Sequence, residues 1–216
     1  MKREALLGAM YASMLESMGP SHWWPGDTPF EIAVGAILTQ NTNWANVEKA
    51  IDNLKRADAL SALAIRDMPL PELAELIRPS GYFRMKAQRL KDFTAFLDAE
   101  CGLDIEALMD ADPDATRESL LAVRGIGPET ADSILLYALG MPTFVVDSYT
   151  RRILSRHALI PEDAPYDEMR DFFMDVLEPD ASMFNEFHAL LVRVAKDWCR
   201  KGEPLCDKCP LAPYLP

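Results

Sequence analysis

Apolar residues recur at the three- and four-residue spacing of an α-helix along nearly the whole chain, and this periodicity predicts an all-α fold. The first predicted helix has one apolar face, made of Leu6, Leu7, Met10, Met14 and Met18, and is stopped by Gly19-Pro20. Further helices are predicted over residues 29–40, 44–55, 58–66, 70–77, 84–100, 116–123, 129–139, 148–157, 166–178 and 182–198. The one strand-like segment, Thr143–Val146, is too short to form a sheet.

The charge and the apolar runs exclude several classes of protein. A net charge of −12 argues against a protein that coats nucleic acid without specificity. A local basic groove is still compatible with this net charge, because residues 78–91 hold five basic residues and no acidic one. The alternative is that this segment forms ordinary solvated helix faces. The apolar runs, such as Ile32–Leu38, are far shorter than the roughly 20 residues that span a membrane. We read no signal peptide, and we expect a cytoplasmic protein without membrane contact.

The segment 123–131 predicts a tight turn between two helices. One helix ends near Val123, Gly125-Ile126-Gly127 forms the turn, and Pro128 opens the next helix. The two glycines permit unusual backbone angles and let main-chain N–H groups approach a partner closely. The N-terminus of a helix favours an anion, so a phosphate is the partner that suits this turn. An ordinary helix end followed by a turn is the simpler alternative.

Residues beyond the turn relate the chain to a known family. The chain resembles the helix-hairpin-helix DNA glycosylases of the endonuclease III superfamily from about residue 27 to its end. The L-x-G-x-G-x-x-T-A and V-D-T/S-x-x-x-R patterns of that family are matched by Gly125, Gly127, Thr130, Ala131, Val146, Asp147, Ser148 and Arg152, and the leucine by Leu121, which stands four residues and not two ahead of Gly125. The segment Leu38–Thr42 resembles a further family element, and the cysteines near the C-terminus resemble a third.

The resemblance implies a fold of two lobes and an activity in base excision repair. Residues 21–141 are expected to form a six-helix barrel, and residues 1–20 and 142–216 a second helical lobe with a cysteine loop. The implied partner is double-stranded DNA with a damaged base, bound by a monomer. The enzyme would flip that base out of the helix and hydrolyse its N-glycosidic bond.

Asp147 is the catalytic residue that the resemblance implies. Breaking the bond between base and deoxyribose builds positive charge on the sugar, and a fixed anion stabilises that charge. The same carboxylate can orient or deprotonate the attacking water. An aspartate ahead of Ser-Tyr-Thr-Arg is also a typical helix N-cap, and the two roles are compatible.

Other positions are assigned to DNA binding or to the reaction by the same resemblance. Gln40 is expected to enter the gap left by the flipped base. The remaining residues expected to contact DNA are Arg124, Gly125, Ile126, Gly127 and Thr130. Glu129, which we also place in the base pocket, occupies the position of the lysine that forms a Schiff base in the lyases of this family. A carboxylate cannot form that bond, so we predict a monofunctional glycosylase without AP-lyase activity.

The tryptophans favour the 3-methyladenine DNA glycosylase branch of the superfamily. By resemblance, Trp24 and Trp44 sandwich the flipped base, and an electron-rich ring attracts a cationic alkylated purine. Core packing is the alternative role for both indoles. Two other functions stay open, namely a glycosylase for oxidised pyrimidines or mismatched bases and a non-catalytic protein that binds distorted DNA.

The cysteines near the C-terminus predict a metal centre. Cys199, Cys206 and Cys209 match three positions of the C-x6-C-x2-C-x5-C signature of the superfamily's [4Fe–4S] cluster, but Leu215 stands at the fourth. Zinc held by three cysteines and a histidine such as His188 is an alternative, and so are free thiols without metal.

Overall fold

The computed structural model describes residues 2–21, 23 and 26–216, and these residues form helices and no β-strand. The prediction of an all-α fold is therefore confirmed. The helices are α1 (Arg3–Met18), α2 (Pro29–Thr39), α3 (Trp44–Arg56), α4 (Ala62–Asp67), α5 (Leu70–Leu76), α6 (Phe83–Cys101), α7 (Pro113–Ala122), α8 (Pro128–Ser133), α9 (Ser148–Arg156), α10 (Tyr166–Met174) and α11 (Ala181–Asp197). A π-helical segment, Ile134–Ala138, continues α8, and short 3₁₀ turns lie at Arg78–Ser80, Ile105–Leu108, Cys206–Lys208 and Ala212–Tyr214.

Side-chain caps set several of the helix starts, and they explain where the predicted boundaries differ from the structure. Ser61 accepts a hydrogen bond from the backbone N–H of Ala64, so α4 begins at Ala62 and not at residue 58. Asp112 caps α7 in the same way, with Pro113 at the first helical position, so α7 begins three residues earlier than residue 116. These starts depend on capping groups that hydrophobic periodicity does not register.

The chain divides into two compact units, Met1–Trp24 with Pro142–Pro216, and Pro25–Met141. The first unit contains α1 and α9–α11, and stacked phenylalanines lie at its centre. The rings of Phe144 and Phe173 are 3.7 Å apart and nearly parallel, and Phe184 and Phe187 meet Phe144 edge-on. The second unit contains α2–α8 around a continuous core in which Ile37, Leu54, Leu90 and Phe93 are fully buried, among others.

No helix in the described ranges is both long enough and apolar enough to cross a membrane.

The basic segment 78–91 does not form a uniform charged surface. Lys86 is buried inside the second unit, and Arg89 packs against the backbone of Gly125. Lys91 donates hydrogen bonds to the backbone carbonyls of Arg66 and Met68. Arg78 and Arg84 are exposed, and both lie over the ring of Phe83. Much of the charge in this segment is therefore used within the protein.

Candidate functional site

Asp147 is the N-cap of α9, has an extended backbone conformation, and follows the non-helical segment 142–146. Its Oδ1 accepts hydrogen bonds from the backbone N–H groups of Tyr149 at 3.0 Å and Thr150 at 2.8 Å. The side chain remains 15% exposed, so the carboxylate is fixed in place without being sealed from solvent. The first turn of α9 therefore supports a negative charge at this position.

The second carboxylate oxygen of Asp147 faces a histidine. The Nε2 atom of His188, in the buried face of α11, lies 3.6 Å from Asp147 Oδ2. Burial acts to raise the pKa of Asp147, but the charge and contact of His188 together with the bonds from Thr150 outweigh it. The pKa of this carboxyl consequently lies below its usual range.

The turn between α7 and α8 connects two helices as predicted, and its two glycines differ in backbone conformation. Gly125 has a φ of +87°, and a Cβ atom built there would lie 2.6 Å from the Nε atom of Arg89. Gly127 has a φ of −97°, so the expectation that it supplies an unusual backbone angle is wrong. No atom lies within 4 Å of a Cβ built at Gly127, so its open face leaves room for close approach to the main chain.

Several residues predicted to contact DNA meet at this turn. Gln40 Nε2 donates to the carbonyl of Gly125 at 3.2 Å and to Thr130 Oγ1 at 2.8 Å, and Arg89 donates to Gln40 Oε1. Arg124 is exposed, whereas the side chain of Ile126 is buried in the core, so Ile126 can present only its main chain to a partner.

A buried ion pair joins the two helices that flank the turn. Arg117 of α7 donates from Nε and Nη2 to the two carboxylate oxygens of Asp132 at 2.9 and 3.1 Å. Asp132 is fully buried, so this bidentate contact ties α7 to α8 in one orientation. Glu129 lies in the first turn of α8 and is exposed.

Trp44 forms part of the wall of an acidic cavity of about 220 Å³ within the second unit. The residues that line this acidic cavity are Gly26, Asp27, Glu31, Gly35, Trp44, Glu48, Ile51, Asp52 and Lys55. Trp44 Nε1 donates to Glu48 Oε1 at 2.8 Å, and Lys55 pairs with Asp27 at 2.7 Å and Glu31 at 2.8 Å. Four carboxylates against one ammonium give this cavity a net negative charge. The other predicted base-pocket indole, Trp24, lies outside the described residues.

The three cysteines near the C-terminus line one small cavity of about 20 Å³. The other residues around this cysteine cavity are Arg156, His157, Trp198, Ala212 and Leu215. Leu215, at the position of the fourth cysteine of the family signature, thus forms part of the wall. Burial raises the pKa of the Cys209 thiol, and Arg156 Nη1 lies 3.4 Å from Cys199 Sγ. In donor type and number, the three thiols suit a cluster with three protein ligands, although within the described part of the chain no three His, Cys, Asp or Glu groups are placed to hold a single metal ion.

His188 does not line the cysteine cavity, so it cannot complete a zinc site there. It faces Asp147 instead, because it lies about two and a half helical turns, or roughly 13 Å, before the end of α11 at Asp197. The histidine at the cysteine cavity is His157, whose Nδ1 lies 2.9 Å from the carbonyl oxygen of Tyr214.

Residues 34–179 match the model of the HhH-GPD superfamily of base excision DNA repair proteins. The chain belongs to this family of DNA glycosylases. It is 47% identical to "Putative DNA repair glycosylase MJ1434" of Methanocaldococcus jannaschii, over 95% of this chain and 93% of that protein. The resemblance to the endonuclease III superfamily is thereby confirmed.

Solved structures of other DNA glycosylases have the same fold as this HhH-GPD protein. The 3-methyladenine DNA glycosylase MagIII of H. pylori, bound to 1,N6-ethenoadenine, aligns with a TM-score of 0.76 and 32% identity over 91% of this chain and 98% of that one. An endonuclease III in a non-covalent DNA complex aligns with a TM-score of 0.84 and 22% identity over 100% of this chain and 96% of that one. The helix-hairpin-helix DNA glycosylase fold is therefore confirmed.

Sequence reasoning missed three partners of the candidate site residues. Glu48 follows Trp44 by one helical turn, so the i,i+4 spacing could have identified it. His188 interrupts the apolar face of α11, and a polar residue at a core position was the available signal. His157 had no comparable signal, because only tertiary structure brings it to the cysteine cavity.

Proposed function

We propose that this chain is a monofunctional DNA glycosylase that releases alkylated purines, such as 3-methyladenine, from double-stranded DNA. The observation that carries the substrate assignment is the acidic cavity beside Trp44. An alkylated purine is cationic, and a cavity with an indole wall and excess carboxylate charge attracts a flat cation. The likeness to a 3-methyladenine DNA glycosylase at 32% identity supports the same substrate class.

In this proposal, Asp147 supplies the charge that the reaction needs. Departure of the base leaves positive charge on the deoxyribose, and the carboxylate of Asp147 stabilises that charge and orients the attacking water. The lowered pKa of Asp147 supports this role, because the group is ionised at neutral pH. A cationic purine is already a good leaving group, so the enzyme has little need to protonate it.

The turn between α7 and α8 is proposed to bind the DNA backbone. The N-terminus of α8 has no side-chain cap, and Gly127 leaves its face open, so a phosphate can approach the main-chain N–H groups. Gln40 is held at this turn by hydrogen bonds and would leave them to enter the gap beside a flipped base.

The matched glycines of this turn allow a direct test of backbone binding. Gly127→Ala should weaken binding to duplex DNA about tenfold, because a methyl group obstructs the open face, while thermal stability changes little. Gly125→Ala should lower the melting temperature as well, since its φ of +87° and the contact with Arg89 both exclude a side chain. Equal effects of the two variants on stability and binding would contradict this assignment.

The substrate and the catalytic residue are tested together by base release from a panel of duplexes. The panel contains 3-methyladenine, 1,N6-ethenoadenine, an oxidised pyrimidine and a mismatched thymine. We expect fastest release of 3-methyladenine, a loss of at least about a thousandfold in Asp147→Asn, and duplex binding that survives in that variant. Preferential release of the oxidised pyrimidine would overturn the substrate class, and no release from any duplex would indicate a DNA-binding protein without catalysis.

The charge of the acidic cavity is tested separately by Glu48→Gln. This change removes a carboxylate but keeps an acceptor for Trp44 Nε1. Release of cationic 3-methyladenine should fall about tenfold, while release of neutral 1,N6-ethenoadenine should hardly change. An equal loss on both bases would indicate that Glu48 acts through the shape of the cavity and not through its charge.

The proposal of monofunctional chemistry rests on Glu129, which provides no amine for a Schiff base. Borohydride added during turnover should trap no covalent complex with damaged DNA, whereas endonuclease III should be trapped under the same conditions. A trapped adduct would show that another amine of this chain acts as a lyase nucleophile.

We also propose that Cys199, Cys206 and Cys209 hold a [4Fe–4S] cluster. When bound, such a cluster supplies a rigid centre for the loop that contains the three cysteines, and Leu215 leaves one iron without a protein thiolate. Protein purified without oxygen should contain close to four irons and absorb near 400 nm, and Cys206→Ser should lose both. Stoichiometric zinc or metal-free thiols would replace this proposal with one of its alternatives.

A further inference from the structure

The two oxygens of the Asp147 carboxylate have different partners. Oδ1 receives the backbone N–H groups of Tyr149 and Thr150, which is the ordinary geometry of a helix cap. Oδ2 takes no part in that cap and lies 3.6 Å from His188 Nε2. The cap therefore explains how one oxygen is held, and a second group orients the other.

His188 is held rigidly enough to orient a neighbour. It lies in the middle of α11, its side chain is 6% exposed, and the adjacent positions Phe184, Phe187 and Leu191 are buried around it. The helix α11 packs against both α9 and α1, so the imidazole cannot swing toward solvent. A buried ring on a packed helix imposes its position on the carboxylate beside it.

Other ionisable groups on the packed helices are directed elsewhere. On α9, Arg151 donates to the carbonyls of Glu162 and Ala164, and Arg152 donates to those of Cys199 and Ala195. Further groups have contacts of their own: Lys196 lies over the Tyr149 ring, Glu186 accepts from Ser21, and Arg3 pairs with Asp175. Arg193 donates to the carbonyls of Met18 and Gly19, and Arg156 donates to those of Arg200 and Lys201. Among these ionisable groups, His188 is the one that faces Asp147, and the side chain of Thr150 is a further neighbour of this carboxyl.

We propose that His188 is a positioning residue for Asp147, whose Nε2–H faces Oδ2 and holds the carboxylate ionised and in one orientation. This inference rests on the proposed role of Asp147 in base release. The tautomer follows from the facing oxygen, because an unprotonated Nε2 would repel the carboxylate. With Oδ1 held by the cap and Oδ2 held by the imidazole, the carboxylate keeps its plane while the sugar gains positive charge. Neither contact has to rearrange during the reaction, which is what electrostatic stabilisation requires.

The test compares two polar substitutions of His188 with different reach. The amide of His188→Gln extends about as far as Nε2, whereas the amide of His188→Asn is one methylene shorter and stops near the position of Nδ1. Single-turnover release of 3-methyladenine is measured across the acid limb of the pH profile, together with affinity for duplex DNA and the melting temperature.

We expect His188→Asn to slow base release by about ten- to a hundredfold with duplex affinity unchanged within about twofold. Its acid limb should move to higher pH by about one unit, because the pKa of Asp147 rises when its partner is withdrawn. His188→Gln should restore most of the rate and return the acid limb toward the wild-type position. A residue with a purely structural role would lower the melting temperature in both variants without moving the acid limb.

The inference is overturned if His188→Asn keeps the wild-type rate and acid limb, or if Gln and Asn behave alike at equal melting temperatures. The proposed function fails in a different way, since then either Asp147→Asn retains base release or the wild-type protein releases no base. A dead Asp147→Asn beside an unaffected His188→Asn therefore removes only the role of His188.

Discussion

Each unit of the molecule contains a buried or nearly buried charged group whose pKa is lowered, and the consequences are opposite. In the first unit, His188 and the start of α9 lower the pKa of Asp147 and so stabilise its charged form. In the second unit, burial lowers the pKa of Lys86 from 10.5 to about 8, with a contribution from Arg89, and so disfavours its charged form. A lowered pKa thus means that the surroundings stabilise the charged form of Asp147 but destabilise the charged form of Lys86.

The surroundings of Lys86 explain why a disfavoured charge is kept. The residue is 1% exposed, and its Nζ donates to the backbone carbonyls of Leu38 at 2.8 Å and Ser80 at 2.7 Å. Leu38 lies in the last turn of α2, where carbonyls lack partners within the helix. Lys86 therefore connects the end of α2, which lies immediately before Gln40, to the 3₁₀ turn at Arg78–Ser80. By this comparison, Lys86 stabilises the fold, whereas Asp147 serves the proposed reaction.

The largest expected effect on stability is that of Lys86→Ala. The free energy of unfolding should fall by about 3–5 kcal/mol, because the substitution opens a cavity and leaves two buried carbonyls unpaired. Denaturant unfolding measures this loss, and Lys49→Ala on the exposed side of α3 is the matched control, with a change of about 0.5 kcal/mol or less. A small effect at Lys86 would mean that the two carbonyls find other partners, and the architectural role would be lost.

The pH dependence of stability gives the next effect in size. Between about pH 8 and pH 10.5 the unfolded chain binds a proton at Lys86 that the folded chain has released, so stability should rise with pH through that window. The contribution is about 3 kcal/mol, and it appears as the difference between wild type and Lys86→Met, since other lysines cancel. Parallel stability curves for the two proteins across this window would show that the pKa of Lys86 is not lowered.

Asp147 should affect stability less than Lys86. Asp147→Ala removes the cap of α9 and should cost about 1–2 kcal/mol at neutral pH, whereas Asp147→Asn keeps a capping oxygen and should recover most of that loss. Because its folded pKa is lowered, wild-type Asp147 contributes stability above its unfolded pKa of about 3.9 and loses it as pH falls through the folded value. Unfolding at pH 7 and pH 3 measures both effects. If Asn were as damaging as Ala, the charge and not the cap would hold this helix start.

The same contrast shows how far the sequence predicts this molecule. Periodicity and glycine placement are local properties, so the helices, the turn at Gly125 and the cap at Asp147 were predictable. The burial of Lys86 was not, because a lysine in a basic segment is normally on the surface and only the carbonyls of Leu38 and Ser80 make its burial possible. The contact of Asp147 with His188 joins two separate helices, so it depends on tertiary packing that no local pattern records.

The smallest expected effect on stability comes from an exposed charge, that of Lys55. It tests whether burial is the reason for the larger effects at Lys86 and Asp147. Lys55 contacts Asp27 and Glu31, and hydrogen bonds to these two carboxylates raise its pKa above the usual range. Its side chain is 39% exposed, so solvent screens both ion pairs and Lys55→Met should change the free energy of unfolding by less than about 1 kcal/mol. Added salt should reduce the difference between wild type and variant further. A loss comparable to that of Lys86→Ala would mean that the exposed ion pairs of Lys55 stabilise the second unit as strongly as the buried ammonium of Lys86. Burial would then not distinguish the charged residues that stabilise the fold from those that do not.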